Sequence, residues 1–250
     1  MPREGVVSLI IDQVAEAQTE QPDLELVLDS AGKMIVQGTL RFCIEHDGRA
    51  FKDAYQVELT VPSDYPDSPP TIRETGNAIP GNFHKFPKTG NLCLGAPVEV
   101  RRVFAQDQTL LSFINRLVIP YLFSHSYFHD HGELPHGDLS HGLLGLLEHY
   151  KEFFGADALT VMKLLKLLAD ALAPPLMRCP CGSGRTLQDC HGPKLDELRP
   201  HYPANCFAAE VREMVTTAAA AGICLPDREV MPKRMWKNRQ KRRKKEGRGR

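Results

Sequence analysis

The chain has no run of about 18 uninterrupted apolar residues, so it contains no stretch that reads as a helical membrane span. Its opening segment, MPREGVVSLIIDQVAEAQ, turns polar after a short apolar run and has no small-residue cleavage site, which predicts neither secretion nor membrane attachment. An even disulfide framework is also missing. There are seven cysteines, and three of them (Cys179, Cys181, Cys190) crowd into twelve residues in the way metal ligands do. A soluble protein of the reducing cytoplasm is the expectation. No internal repeat is present, which excludes solenoids and propellers. Tryptophan is nearly absent: Trp236 alone offers an indole for base stacking, which argues against a dedicated nucleic-acid face.

What is present is enough apolar content for one sizeable core. At 250 residues and 42% hydrophobic, the chain predicts one main domain with smaller additions. Its formal net charge of zero conceals an asymmetry. From Lys233 onward there are eleven of the 31 Lys and Arg but one of the 31 acids, leaving a body near −10 and a tail near +10. Such a block predicts a disordered, solvated tail over 233–250 that could contact nucleic acid or the acidic body.

Periodicity places an amphipathic helix over 5–18 and strands over 24–29, 34–45 and 51–61, with Cys43 as a core residue. Ser-Ala-Gly-Lys and His-Asp-Gly-Arg turns between the strands predict an antiparallel meander. The prolines of YPDSPP (65–70) forbid ladder donation, and TIRE follows as a short strand. Residues 75–105 show no sustained period and predict a long loop of the kind that usually carries function. DQTLLSFINRLVIPYLF (107–123) predicts a helix capped by Asp107 or Thr109 and ended or kinked by Pro120. Further helices are expected in LLGLLEHYKEFFG, in ALTVMKLLKLLADALA and over 205–222.

The order helix, meander, Tyr65-Pro66-x-x-Pro69-Pro70, loop, His84, Gly90-x-x-Cys93-Leu94, helix resembles the ubiquitin-conjugating enzyme fold. The resemblance covers roughly 5–150 and sets Cys93 on the family's thioester-forming cysteine. It implies that His84 holds the active-site loop. The family's His-Pro-Asn triplet reads His84-Lys85-Phe86 here, the His-to-Cys spacing is one residue shorter, and no tryptophan follows the cysteine. Bacterial relatives encoded in conjugation or anti-phage operons depart at the same triplet. An isolated Leu-Cys-Leu would read as a small buried hydrophobe; in this frame the thiol is a candidate nucleophile. The segment 125–142 carries His125, His129, His131, His136 and His141, able to serve as loop and capping groups, a metal site or proton-transfer groups. His136, inside Pro-His-Gly, is the candidate for a second catalytic residue.

CPCGSGRTLQDCHG (179–192) supplies three thiolates and an imidazole, Cys179, Cys181, Cys190 and His191, with Gly182 and Gly184 permitting the turn between the pairs. The stretch closely resembles the SEC-C motif, and four protein ligands imply a structural Zn2+ rather than a catalytic one. The whole predicts an α+β protein: a conjugating-enzyme-like domain over 1–155, a linker helix over 156–176, the zinc knuckle over 177–195, a helical segment over 196–232 and the basic tail. The implied partners are a ubiquitin-like protein, an activating-enzyme homologue and an acceptor protein. The alternatives are a non-catalytic adaptor of the same fold, or an RNA- or ribosome-associated factor.

Overall fold

Alternation of apolar and polar residues, punctuated by turn chemistry, builds the first half of the chain. The structure, a computed structural model, describes residues 4–135, 142–171, 173–237 and 240 and divides into units 1–139 and 140–250. In the first, strands β1 (Glu25–Leu28), β2 (Met34–His46), β3 (Arg49–Thr60) and β4 (Thr71–Glu74) form one antiparallel sheet in chain order. Asp47 and Gly48, at φ 52° and 72°, make the two-residue turn that pairs His46 with Arg49, as the left-handed pair of such hairpins requires. At Gly38 a Cβ would lie 2.0 Å from Asp23 O, so only glycine lets the backbone ahead of β1 cross β2 there.

Val36, Leu40, Phe42, Tyr55, Val57, Leu59 and Ile72 form the sheet's buried face, in one core with Ile10 and Val14 of α1 (Glu4–Ala17). Cys43 does not join it. The inward positions of β2 fall on Leu40 and Phe42, so period two turns Cys43 out to solvent. α2 (Pro97–Phe104) occupies part of the segment expected to be a loop; Pro97 starts it, and Val98 and Phe104 are its buried residues.

Thr109 caps the next helix, accepting from Ser112 N at 3.2 Å. Pro120 does not stop it. α3 (Leu110–Phe113) passes through a π turn (Ile114–Val118) into α4 (Ile119–His131), with Ile119 N donating to Ile114 O just before Pro120, so the widened turn takes in the proline without ending the helix. Gln13 of α1 ties these pieces together: its Oε1 accepts from Leu110 N at 3.0 Å and from the Tyr65 hydroxyl.

The second unit is helical, with α5 (Gly142–Phe154), α6 (Ala158–Ala169), α7 (Gly192–Leu198), α8 (Ala204–Ala220) and α9 (Asp227–Val230). Asp157 caps α6 through Thr160 N at 2.9 Å. Its core gathers Tyr150, Leu164, Leu165, Leu195, Phe207 and Val211. The sequence assigns α5 to the N-terminal domain, but its contacts lie in this unit: Tyr150 OH donates to Glu210 Oε2 of α8 at 2.8 Å. Burial pushes the Glu210 carboxyl above its ordinary value. Of the tail expected over 233–250, residues 238, 239 and 241–250 lie outside the described residues. Lys233–Lys237 form a helical turn, anchored by Lys233 N on Asp170 Oδ1 at 2.8 Å and by Trp236 N on Pro232 O at 3.1 Å. No helix among the described residues is long and apolar enough to cross a membrane.

Gln13 supplies a test of this packing. Gln13→Leu keeps the volume but strips the buried Leu110 amide of its acceptor, at a cost of about 1–3 kcal/mol. A lower urea midpoint for the full chain is the expected result, and an unchanged midpoint would refute the role.

Candidate active site and metal centre

Strand β4 alternates inward and outward, which puts Ile72 and Glu74 on the buried side. A carboxylate there needs partners, and the following loop provides them. Glu74 accepts from Ala78 N at 3.1 Å, Ile79 N at 3.3 Å and Lys85 Nζ at 3.3 Å, while Lys85 Nζ also donates to Ile79 O at 2.6 Å. The Glu74 side chain is buried at 0% exposure, and that of Lys85 is part-buried at 12%. The sequence marks Lys85 as the residue standing where the triplet has proline; the structure gives it a positioning role that was missed. The signal was available, because an acid at an inward strand position implies a nearby cation.

Lys85 is the point where the loop returns toward the sheet. Residues Lys85 and Leu92 pair antiparallel, Phe86 N donates to Asn91 O at 2.8 Å, and Gly90 N closes the turn on Phe86 O at 2.9 Å. Asn91 pairs with Arg73, and Leu92 N donates to Ile72 O at 2.8 Å, so the returning segment extends the sheet at β4. Leu92 is buried at 4% exposure, and alternation then leaves Cys93 half-buried at the surface. The cysteine between two leucines is therefore not a core thiol.

His84 and Cys93 are neighbours through the backbone, with Cys93 N donating to His84 O at 2.7 Å. Tyr121 of α4 braces the same point, its hydroxyl donating to Phe83 O at 3.0 Å and His84 O at 3.2 Å. Burial, then the charge of the nearby Cys93, pushes the Tyr121 phenol well above its ordinary value, so it stays a neutral donor. Phe83 anchors the loop among Tyr121, His125 and Phe128, with centroids 5.8, 4.9 and 5.4 Å away. Phe86 is 47% exposed and Asn82 is exposed.

The histidines separate by environment. His125 is a core residue whose Nδ1 lies 2.8 Å from Tyr55 OH, and burial lowers its imidazole below the ordinary value. His131 stacks on Tyr127 at 4.2 Å, and the His129 side chain is 80% exposed. His136 and His141 lie outside the described residues.

In the second unit the backbone brings the four expected ligands together. Cys179 N donates to Arg185 O at 3.0 Å, and Leu187 N to Met177 O at 2.8 Å, forming a short hairpin whose turns use Gly182 and Gly184 at φ 77°. Cys179, Cys181 and Cys190 Sγ and one ring nitrogen of His191 all lie within 4.8 Å of one another; among the described residues this is the one such cluster. His191 Nδ1 stands 3.2 Å from Cys179 Sγ and 3.3 Å from Cys190 Sγ, while its Nε2 donates to Phe154 O at 3.1 Å. That outer hydrogen bond assigns the proton to Nε2 and leaves Nδ1 as a ligand. Arg185 Nη2, 3.4 Å from Cys190 Sγ, and the Ser183 hydroxyl at 3.5 Å are donors for a thiolate. Burial pushes the Cys179 thiol up to about 11; at Cys181 burial is outweighed by the Ser183 hydroxyl and amide, and the thiol falls to about 6. Three thiols so placed ionise together only beside a compensating cation, so the donor set fits a metal ion.

The centre also closes a helix. The last carbonyls of α5 lack partners within the helix, and Phe154 O is taken by His191 Nε2 and Phe153 O by Lys194 Nζ. Residues 178–193 match the family of the SEC-C motif. No curated protein and no solved structure matches the chain.

Elemental analysis is expected to find about one metal ion per chain, lost on Cys190→Ser. Because its ligands must be deprotonated, affinity should fall as pH falls. Removing the metal should raise amide exchange over 177–195 and in the last turn of α5, and leave unit 1 unchanged. A chain that keeps this region protected in a chelator, with no metal bound, would contradict the assignment.

Proposed function

We propose that the chain is a conjugating enzyme that carries a ubiquitin-like protein as a thioester on Cys93. The observation that carries this reading is the loop itself: a half-buried thiol one residue beyond a sheet-paired leucine, locked to His84 by a 2.7 Å backbone bond and held from below by the Glu74–Lys85 pair. The α1, β1-β2-β3-β4, Tyr65–Pro70, loop and α3–α4 order supports a ubiquitin-conjugating-enzyme-like fold. The bacterial setting and a place in anti-phage conjugation rest on the resemblance at the triplet.

The chemistry suits a thiolate. Cys93 Sγ, having given its proton to solvent, would attack the carbonyl carbon of the activating enzyme's thioester; a new S–C bond forms, the old one breaks, and the departing thiolate takes up a proton. In the second step the nitrogen of an acceptor amine bonds to the same carbonyl carbon, the Cys93 S–C bond breaks, and the proton lost by the amine passes to the departing thiolate. His84 and Tyr121 act on the loop rather than the reacting atoms: one offers a carbonyl to Cys93 N, the other holds that carbonyl in place. In the second unit, Cys179, Cys181, Cys190 and His191 would hold Zn2+, whose bonds of about 2.3 Å to sulfur and about 2.0 Å to nitrogen suit three thiolates and an imidazole. With four protein ligands the ion serves folding, and the knuckle is a surface for recruiting a protein partner.

A specific observation favours a second reading. Phe86, at the third position of the triplet, is 47% exposed and provides no donor for an oxyanion, as expected of an adaptor that has lost transfer. Incubation with a cognate activating enzyme, a ubiquitin-like protein and ATP separates the two. The enzyme reading predicts a covalent adduct that a thiol reductant dissolves, absent in Cys93→Ala and converted to a reductant-resistant ester in Cys93→Ser. Modifier binding without an adduct, or an adduct that survives Cys93→Ala, would establish the adaptor instead.

A further inference from the structure

The second unit carries a second feature, independent of Cys93 and of the metal centre. A pocket of about 370 Å3 is lined by Lys166, Arg228, Met231, Lys233, Trp236 and Lys237. Its volume falls in the roughly 300–1,000 Å3 range of small-ligand sites. None of the six lining residues is acidic. Lys166 is paired with Asp170 at 3.1 Å, and among the described residues no ion pair is found for Arg228, Lys233 or Lys237, so three positive charges line one cavity. Like charges held together raise the local potential and favour an anion.

The chain's one tryptophan completes the pocket. Trp236 is half-buried, with the Arg228 guanidinium 6.0 Å from its ring centroid. The turn that carries it is held by Lys233 N on Asp170 Oδ1 and by Trp236 N on Pro232 O, with Val230 and Met231 buried just before it. Trp236 is thus a positioned ring rather than a residue of a solvated tail. After Lys237 the sequence continues Asn-Arg-Gln-Lys-Arg-Arg-Lys-Lys, six further cations in eight residues and no acid. Charge alone would suit any polyanion. An aromatic plane set among cations selects one whose anionic groups alternate with flat rings.

We propose that this pocket is a binding site for single-stranded nucleic acid, in which a base stacks on Trp236 while Arg228, Lys233 and Lys237 meet the flanking phosphates. An acidic protein segment would use the same charges but not the indole.

Because Trp236 is the one tryptophan, its fluorescence reports this site alone in the full, metal-loaded chain. Titration with a 15-residue oligouridylate, and in a second arm oligothymidylate, is expected to quench it saturably. The difference between the arms shows whether the ribose hydroxyl is read. Affinity should fall with salt at a log–log slope of about −2 or steeper, from about −0.7 per neutralised phosphate at three phosphates. Measured by anisotropy of labelled RNA, Trp236→Leu should weaken binding about five- to 150-fold, the effect of losing one stacked base, and Trp236→Phe should restore most of it. Lys233→Gln with Lys237→Gln should flatten the salt slope, and unchanged metal content and circular dichroism would certify the variants as folded. Absence of quenching, or Trp236→Leu binding RNA as tightly as the parent while poly-glutamate or heparin competes equally, would overturn the proposal.

Discussion

The carboxylate of Glu74 is the point from which the candidate site hangs. Buried at the inward end of β4, it organises two loop amides and the Lys85 ammonium, and Lys85 in turn begins the strand-like return that ends at Cys93. Separating either charge from the other would leave an uncompensated ion in the interior, at a cost of about 3–5 kcal/mol, so the pair defines one loop conformation. Leu92 adds the apolar anchor and Tyr121 the polar brace. Between them the thiol is left at the surface on a backbone that is hydrogen-bonded on both sides.

The second unit solves a comparable problem with a different bond. Its knuckle is too small to have a core of its own, and Cys179, Cys181, Cys190 and His191 form a donor set that fits a metal cross-link. The same histidine caps α5, so the ligand cluster and the end of that helix share one residue. Gly192 is required at the junction, since a Cβ there would meet Leu187 O at 2.7 Å. The basic turn around Trp236 belongs to this unit as well, seated on Asp170 at the end of α6.

Much of this was legible in the sequence, for reasons that vary by residue. The meander was visible because each turn has its own chemistry, Asp47-Gly48 most clearly, and the metal ligands because they are close in the chain. α2 escaped because its eight residues are too few to show a period, although Pro97 is a start signal. Cys43 reads as core by its hydrophobic character, but the strand's parity turns it outward. Pro120 signals an end or a kink, and which of the two it makes is not legible, because the π turn that lets the helix continue has no local signature. The attachment of α5 to the second unit has no local signal, because its partners, Glu210 and His191, are distant in sequence. The Glu74–Lys85 pair spans eleven residues and depends on which face of a four-residue strand points inward.

The claim that the buried pair holds the cysteine loop can be measured at the loop's own amides. In the parent protein, Leu92 N–H and Cys93 N–H, bonded to Ile72 O and His84 O, should exchange with solvent at rates comparable to the sheet. In Lys85→Met they should exchange at least about a hundredfold faster, the lower end of the cost of breaking a buried pair, while β2 and β3 amides stay protected. Fast exchange at both amides in the parent, or no change in the variant, would contradict the account.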